Sequence, residues 1–502
     1  MKVSVIDLGF NSLKLVTYGV REDKSFYVIE QKSVAARLGE GLTAGGYLQL
    51  EPMHRTIEGL ELFKEILYSE SIKHVLPIGT SAVREAKNSD EFLKQVRRET
   101  GFTFRVLSEK EEALYSYTGA FRSIFEPNVL FFDLGGGSLE LVHTANYSIR
   151  KVLSLPLGAL RLTQDYANKN RSFSKKGYAK MMKYISSTLP SSKQLGLKQK
   201  TELIGVGGTA RALASFDQEI NDYPLNKIHR YTLSKESLEF IQAELVESKV
   251  SEIAKLDCIG DDRAKTIAAG ATVVSEIMDR LDFRELVVST QGLRDGILTA
   301  FLENPHAYYR GKSVEMRSLI RSRKSIPLPY SGAFIAALLA LDQIDKKEFG
   351  ILTAAAAHVL GGLPPYRPHA LFYILMDEDV NMSHESQLIM ALSIVRMLRP
   401  KTADWLYEKF KSIARPSDKN VIRKITTLLR FATLAEKSNS RVRARKQDHD
   451  ILVEIFPAAG KVPFPVELFR RALLDLGQIL DVAAKIHHKE FGMEQSIELA
   501  RR

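Results

Sequence analysis

The chain has little with which to cross-link itself. Its 502 residues include one cysteine, Cys258, so no intrachain disulfide can form and a cysteine-based zinc site is excluded. Long apolar runs are also missing: the most apolar stretch, GAFIAALLALDQI, meets Asp342 too early to span a bilayer. The N-terminal MKVSVIDLGFN carries an Asp inside its apolar run and no small-residue cleavage pattern, and reads as a strand rather than a signal peptide. Two familiar nucleotide motifs are absent. Gly311-Lys312-Ser313 resembles the end of a P-loop, but His306 stands where the first glycine belongs, and GVGG at 205–208 lacks the third glycine of a dinucleotide fingerprint. These absences predict a soluble, cytoplasmic protein without a membrane partner.

What is present is a globular composition: 45% hydrophobic, 26% charged, mean hydropathy −0.12. The length predicts two to four domains. A formal charge of +11 favours polyanionic partners such as polyphosphate, nucleic acid or an anionic surface, while solvated Lys and Arg account for the same number. No specific nucleic-acid partner is expected.

One phrase occurs twice. VIDLGFNSLKLV (5–16) and FFDLGGGSLELV (131–142) share Asp, Leu, Gly, Ser, Leu, Leu and Val at matching places. Each is followed by further strand candidates and then helices: SFYVIEQKSV, EPMHRTIEGLELFKEILYSE and HVLPIGTSAVREA after the first, SIRKVLSLPLG after the second. TELIGVGGTA (201–210) and ELVVSTQGLRDG (285–296) are apolar strands ending in glycine turns. Duplication of an α/β domain explains both the phrase and its surroundings. Beyond about residue 305 the pattern changes to a basic linker and helical spacing, predicting a mainly helical module over 310–502 that ends in a polar-faced helix.

An Asp closing a strand, then Gly135-Gly136-Gly137-Ser138, then a second strand suits phosphate: glycines let backbone N–H groups approach an anion. Asp133 would repel phosphate and so suits Mg2+ or water. Two such turns across a cleft would clamp a chain of phosphates from both sides. Capped glycine hairpins are the plainer reading of either copy alone.

The blocks DLGFNS (7–12), GTSAVREAKN (79–88), LSEKEEA (107–113), FDLGGGSLEL (132–141), LPLGALRLT (155–163), GVGGTARALA (205–214), DRAKTIAAGA (262–271) and STQGLRDGIL (289–298), in this order, resemble the exopolyphosphatase/guanosine pentaphosphate phosphohydrolase family. The resemblance implies an α/β fold of duplicated ribonuclease H-like domains of the actin and sugar-kinase type, over 1–125 and 126–303, with a cleft between them. It implies hydrolysis of a terminal phosphoanhydride, with Glu111 as catalytic glutamate and Glu112 beside it. Adjacent helical residues face different ways, so one of the pair enters the cleft; a solvated helix N-terminus is the plainer reading of Glu109, Glu111 and Glu112. Asp7, Asp133 and Glu140 are implied as holders of Mg2+ or another divalent cation. Asn11, Ser12, Arg84, Gly135 to Ser138, Gly207, Gly208 and Thr209 are implied as phosphate ligands, and Arg294 as structural. Phe10 departs from the family, which has Ser or Thr there, and is expected to narrow or reshape the phosphate channel.

The C-terminal AAAHVLGGLPPYRPHALFYIL resembles a phosphohydrolase domain of HD type. Val359 after His358, and Thr433 where the helix usually carries Asp, imply a non-catalytic copy in which His369, His384 and His487–His488 are ordinary histidines. The cluster RVRARK (441–446) suits either a polyphosphate groove or a solvated face. The expected activity is exopolyphosphatase, with guanosine pentaphosphate (pppGpp) or nucleoside triphosphates as alternative substrates and a non-catalytic polyphosphate or nucleotide sensor as the alternative of another class. A homodimer is implied through the C-terminal module.

Overall fold

The structure is a computed structural model and describes all residues except 199, 306–307, 309–327, 329, 364–365, 379, 448–449, 457–465, 481–482, 491–492 and 500–502. The chain separates into two compact units, Met1–Ser322 and Arg323–Arg502. The Gly311-Lys312-Ser313 sequence and most of the expected basic linker lie outside the described residues.

The first unit contains two sheets with one plan. In the first sheet, β1 (Lys2–Leu8) pairs antiparallel with β2 (Leu13–Val20) and parallel with β4 (His74–Gly79); β3 (Phe26–Val34) and β5 (Arg105–Val106) complete the order β3-β2-β1-β4-β5. In the second, β6 (Val129–Leu134) pairs antiparallel with β7 (Leu139–Ala145) and parallel with β9 (Glu202–Val206). Strands β8 (Ser148–Leu155), β10 (Thr232–Ser234) and β11 (Glu285–Val288) complete the order β10-β11-β9-β6-β7-β8. Read from β8, the order third-second-first-fourth repeats that of the first sheet, as a duplicated α/β fold requires. The central strands are buried on both faces, and helices cover them.

Local sequence sets the boundaries. The helix Leu50–Ser69 buries Ile57, Leu60, Phe63 and Leu67, one stripe at helical spacing. The helix Ser89–Thr100 stops where Gly101 takes the left-handed conformation (φ 83°) that glycine tolerates at a helix end. The helix Glu109–Phe121 crosses Leu293–Glu303 so closely that a Cβ on Gly296 would overlap the Tyr115 carbonyl, and one on Gly119 the Gly292 carbonyl. This glycine crossing joins the two halves of the unit: Leu293–Glu303 also packs on β1, and Glu109–Phe121 on β7 and β8.

The second unit begins with helices from Gly332–Ala340 to Asp418–Lys437, built around Leu388, Ile394, Leu428 and Phe431. It ends in strands rather than the expected polar-faced helix: β12 (Arg441–Gln447), β13 (Asp450–Phe456), β14 (Ala483–Glu490) and β15 (Met493–Leu499) form one sheet in that order. Pairing with β13 supplies β14 with backbone partners, and such context overrides weak local preference. His358 is held by the Ala354 carbonyl and by Glu378 (2.7 Å), and His369 packs against Tyr373 and Trp405. Among the described residues, no helix is long and apolar enough to cross a membrane.

Candidate active site

The two copies of the repeated phrase form two hairpins of the same construction. In the first, the Gly9 N–H donates to the Ser12 carbonyl (3.0 Å); in the second, Gly135 donates to Ser138 at the same distance. Asp7 stands opposite Lys14 across the first hairpin, and Asp133 opposite Glu140 across the second. The turns face each other, since a Cβ on Gly136 would touch Phe10 and Asn11.

The second turn is braced from behind. Ala159 and Leu160, opening the helix Ala159–Tyr166, donate to the carbonyls of Gly135 and Gly136, and Arg161 Nε donates to Gly137 (2.7 Å). The carbonyls are therefore satisfied, while the N–H groups of Gly136 and Gly137 donate to no backbone carbonyl among the described residues. A third turn lies against the second: Gly207, at φ 102°, opens the helix Gly208–Ile220, and a Cβ there would press on Leu134 O (2.6 Å) and Asp133 Oδ1 (3.1 Å). Between the turns lies a cavity of about 420 Å³. Asn11 and Ser12, Gly135 and Gly136, and Gly208 and Thr209 line it, one pair from each turn.

Phe10 does not narrow this cavity. Its ring is 3% exposed, packs on Gly39 and Gly137, and lies under the Arg161 guanidinium, so the bulk that replaces a hydroxyl is absorbed by glycine surfaces on both sides. Gly137, Ser138 and Gly207 sit behind the cavity wall rather than on it.

Four cations surround the same space. Lys14 and Arg263 line it, and Arg211 and Arg294 lie close enough to perturb Lys14. Burial, and then Arg294, push the Lys14 ammonium down to about 7; burial and the neighbouring Arg294 and Arg263 push Arg211 down to about 10. Asp7 Oδ2 lies 3.9 Å from Arg294 Nε, and Arg294 Nη1 is buried with no hydrogen-bond partner. Four neighbouring cations, one of them with an unused donor, outnumber the acid paired with them and are complementary to a bound polyanion. Sequence reading missed Lys14, Arg211 and Arg263 and took Arg294 as structural. The signal was present in Lys14, the one titratable position at which the repeated phrases differ in charge.

Carboxylates form the other half of the site. Glu112 Oε2 accepts from Arg84 Nη1 (2.7 Å), which also donates to Leu107 O (2.9 Å). Asp133 accepts from Ser116 Oγ, and Glu140 from Ser154 Oγ (3.1 Å) and from Ser138. Burial raises all three acids; nearby Asp133 and Asp7 add to the rise at Glu112, which reaches about 7 despite Arg84. Arg84 thus meets a carboxylate in the site rather than Glu85, which pairs with Arg161.

The expectation that Glu111 faces the cleft is corrected by the helix geometry. Glu111 is the third residue of the helix Glu109–Phe121, whose cap is Ser108. Its Oε2 accepts from the Ser108 N–H (2.9 Å) and hydroxyl (2.8 Å), closing a capping box, and its Oε1 pairs with Arg105. Those bonds hold its pKa below the usual range against partial burial. One residue on, the helix turns Glu112 toward Asp133 and Glu140.

Among the described residues, no three His, Cys, Asp or Glu side chains converge at metal-ligand spacing. Asp133 and Glu140 are nonetheless hard oxygen donors, facing across a hairpin and raised by burial and by neighbouring acids, which a cation would relieve. Mg2+ is commonly held by one or two carboxylates with the remaining positions filled by water and substrate phosphate, and this pair fits that mode.

The model of the Ppx/GppA phosphatase family matches residues 18–304. The chain belongs to this family. It is accordingly a hydrolase of phosphoanhydride bonds. Among its relatives are exopolyphosphatase 1 of Mycobacterium tuberculosis, 26% identical over 61% of this chain and 89% of that one, and the guanosine-5'-triphosphate,3'-diphosphate pyrophosphatase of Vibrio atlanticus, 25% identical over 71% and 72%. A bifunctional 3-dehydroquinate synthase/phosphatase of Fusobacterium nucleatum is 29% identical over 59% of this chain, which spans 46% of that relative's length. Among solved structures, the Aquifex aeolicus Ppx/GppA family member is 29% identical with a TM-score of 0.51, covering 61% of this chain and 99% of its own. An exopolyphosphatase from Cytophaga hutchinsonii, 24% identical with a TM-score of 0.56 over 60% and 98%, shares the fold.

Proposed function

We propose that this Ppx/GppA protein removes terminal orthophosphate from inorganic polyphosphate. The observation that carries the reading is the cavity itself: it lies between three glycine turns, with four cations gathered at Lys14 and buried carboxylates nearby. The turns and cations suit the penultimate phosphates; the carboxylates suit the water that attacks the last one.

Glu112 is the carboxylate we assign to that water. Its pKa of about 7 leaves it ionised in part near neutrality, where a general base is most effective. As the water oxygen bonds to the terminal phosphorus, its proton passes to Glu112, the bridging P–O bond breaks, and the leaving oxygen takes up the electron pair. Arg84, bonded to Glu112, positions that carboxylate and offers its guanidinium to the phosphoryl oxygens. Lys14 and the N–H group of Gly136 stabilise charge on the leaving chain. Asp133 and Glu140 would hold a divalent cation, Mg2+ in this reading, which would supply charge neutralisation for the phosphates.

In this reading residues 1–125 and 126–303 are the ribonuclease H-like lobes, and 310–502 a non-catalytic HD-type module carrying the four-stranded sheet. The protein is cytoplasmic and works as a homodimer. The resemblance to the Vibrio pyrophosphatase supports a second reading, in which pppGpp is the substrate of the same chemistry. Orthophosphate release from long-chain polyphosphate and from pppGpp, each with Mg2+, separates them. A clear preference for pppGpp overturns the first reading, and release from neither, with binding retained, points to a sensor.

A further inference from the structure

A second chamber of about 270 Å³ lies beside the site cavity. The two share Asn11, Leu160, Asp262 and Thr266 in their walls, so they adjoin. Its own lining brings Arg37 and Glu40 from the first lobe to Lys169, Arg171 and Lys265 from the second. Four cations there meet two acids. Arg37 pairs with Asp262 (3.1 Å) and Arg171 approaches Glu40 (3.8 Å), and each of these pairs bridges the lobes. Lys169 and Lys265 are exposed and make no ion pair among the described residues.

The two arginines are held in an uncommon way. Arg37 (φ 50°) and Arg171 (φ 62°) both occupy the left-handed region, which non-glycine residues seldom adopt. Arg37 is fixed because its N–H donates to Asn11 O, bolting its loop to the first phosphate turn. Arg171 is fixed by its own N–H bond to Asn168 O and by the Asn168 side chain, which accepts from Asn170 and Ser172. Backbone bonds that enforce strained conformations at two facing arginines preorganise a charged surface. No aromatic ring lines either chamber, so neither offers the stacking platform by which a nucleobase is commonly held.

From these observations we infer that the second chamber is a subsite for the inner phosphates of a linear inorganic polyanion, and that it makes the protein selective for long chains over short ones and over nucleotides. The inference rests on the polyphosphate reading above and deepens it. The terminal phosphates occupy the cavity between the glycine turns, and the rest of the chain leaves past Asn11 into the basic chamber. There the polymer's oxygens replace Asp262 and Glu40 as partners of Arg37 and Arg171, and add Lys169 and Lys265.

The test compares wild type with the combined variant Lys169→Ala, Arg171→Ala, Lys265→Ala on long-chain polyphosphate, tripolyphosphate and pppGpp. The variant is expected to lose roughly 10-fold or more in kcat/KM on the long chain at low salt, with a shallower salt dependence because fewer phosphates are neutralised. On tripolyphosphate and pppGpp it stays within about 3-fold. Equal losses on all three substrates, or no loss on the long chain, overturn the inference; a loss as large on pppGpp assigns the chamber to a nucleotide instead. Equilibrium binding of long-chain polyphosphate, measured in chelator on a Glu112→Gln background, tests the subsite without turnover. Weaker binding by the triple variant supports the subsite even where hydrolysis is absent, whereas absent hydrolysis in wild type tells against the enzymatic reading alone. Lys169→Ala, at an exposed loop position, repeats the comparison with a smaller shift in the same direction if the combined variant fails to fold.

Discussion

Two neighbouring glutamates should respond in opposite ways to the same conservative change. Glu112→Gln keeps the shape of the side chain and one hydrogen bond to Arg84 but removes the group that accepts a proton from water. General-base catalysis contributes about 10²–10⁴-fold, so phosphate release should fall by that factor, equivalent to roughly 3–5.5 kcal/mol of transition-state stabilisation. Ionisation gives a second signature. Burial raises Glu112 to about 7, so below that pH the free protein holds it protonated and kcat/KM should rise with pH through about 7; in Glu112→Gln that limb should flatten. Glu111→Gln instead keeps a capping acceptor for Ser108 and loses the charge that pairs with Arg105. Losing a partly exposed charge pair costs up to about 1 kcal/mol, a fall of about 1–2 °C in Tm for a unit of this size, with kcat within about 3-fold. The assay is orthophosphate release from long-chain polyphosphate alongside thermal melting of both variants. If Glu111→Gln abolishes turnover at unchanged Tm while Glu112→Gln stays active, the assignment argued from the helix geometry is refuted.

Three other outcomes follow from the packing and charge. Lys14, pushed down to about 7, is largely neutral at pH 9 in the free protein, and an anion bound beside it restores its proton; sulfate, whose charge is constant over this range, should bind more tightly at pH 6 than at pH 9 by calorimetry, and Lys14→Met should lose most of that difference. Gly296→Ala forces a methyl onto the Tyr115 carbonyl, which as backbone cannot step aside; overpacking of this kind costs about 1–3 kcal/mol or more, read as a lower Tm. Phe10→Ser should destabilise the first lobe by about 3 kcal/mol through loss of a buried aromatic side chain, yet leave sulfate affinity within about 3-fold because the ring packs on Gly39 and Gly137 outside the cavity.

The strands and turns of the first unit were legible because each carries its own local signal. The repeated phrase marks β1–β2 and β6–β7, and glycines mark the turns that follow β6 and β9. Choosing between Glu111 and Glu112 was beyond local reading, because it depends on where the helix begins. Ser108 fixes that start, and its hydroxyl claims Glu111. Arg211 and Arg263 were equally hidden: a lone arginine in a helix reads as surface until the sheets bring it to Arg294. In the second unit, β14 and β15 carry too few β-branched residues to announce themselves and exist by pairing with β13 and with each other.

The duplicated hairpins differ in one charged pair, and that difference gives the cleft a direction. Two identical turns would present a phosphate chain with the same surroundings from either side, and the chain could slide through with any of its links at the centre. Here the position facing Asp7 is Lys14, while the position facing Asp133 is Glu140. Lys14 lies near enough to Asp133 for each to feel the other's charge, so unlike charges from the two hairpins meet in one place. If polyphosphate is the substrate, such unlike hairpins would tell apart two directions along a polymer that is itself symmetric. Cutting from the end rather than the middle would then follow from a pseudo-symmetric protein whose two halves carry opposite charge at one matching residue.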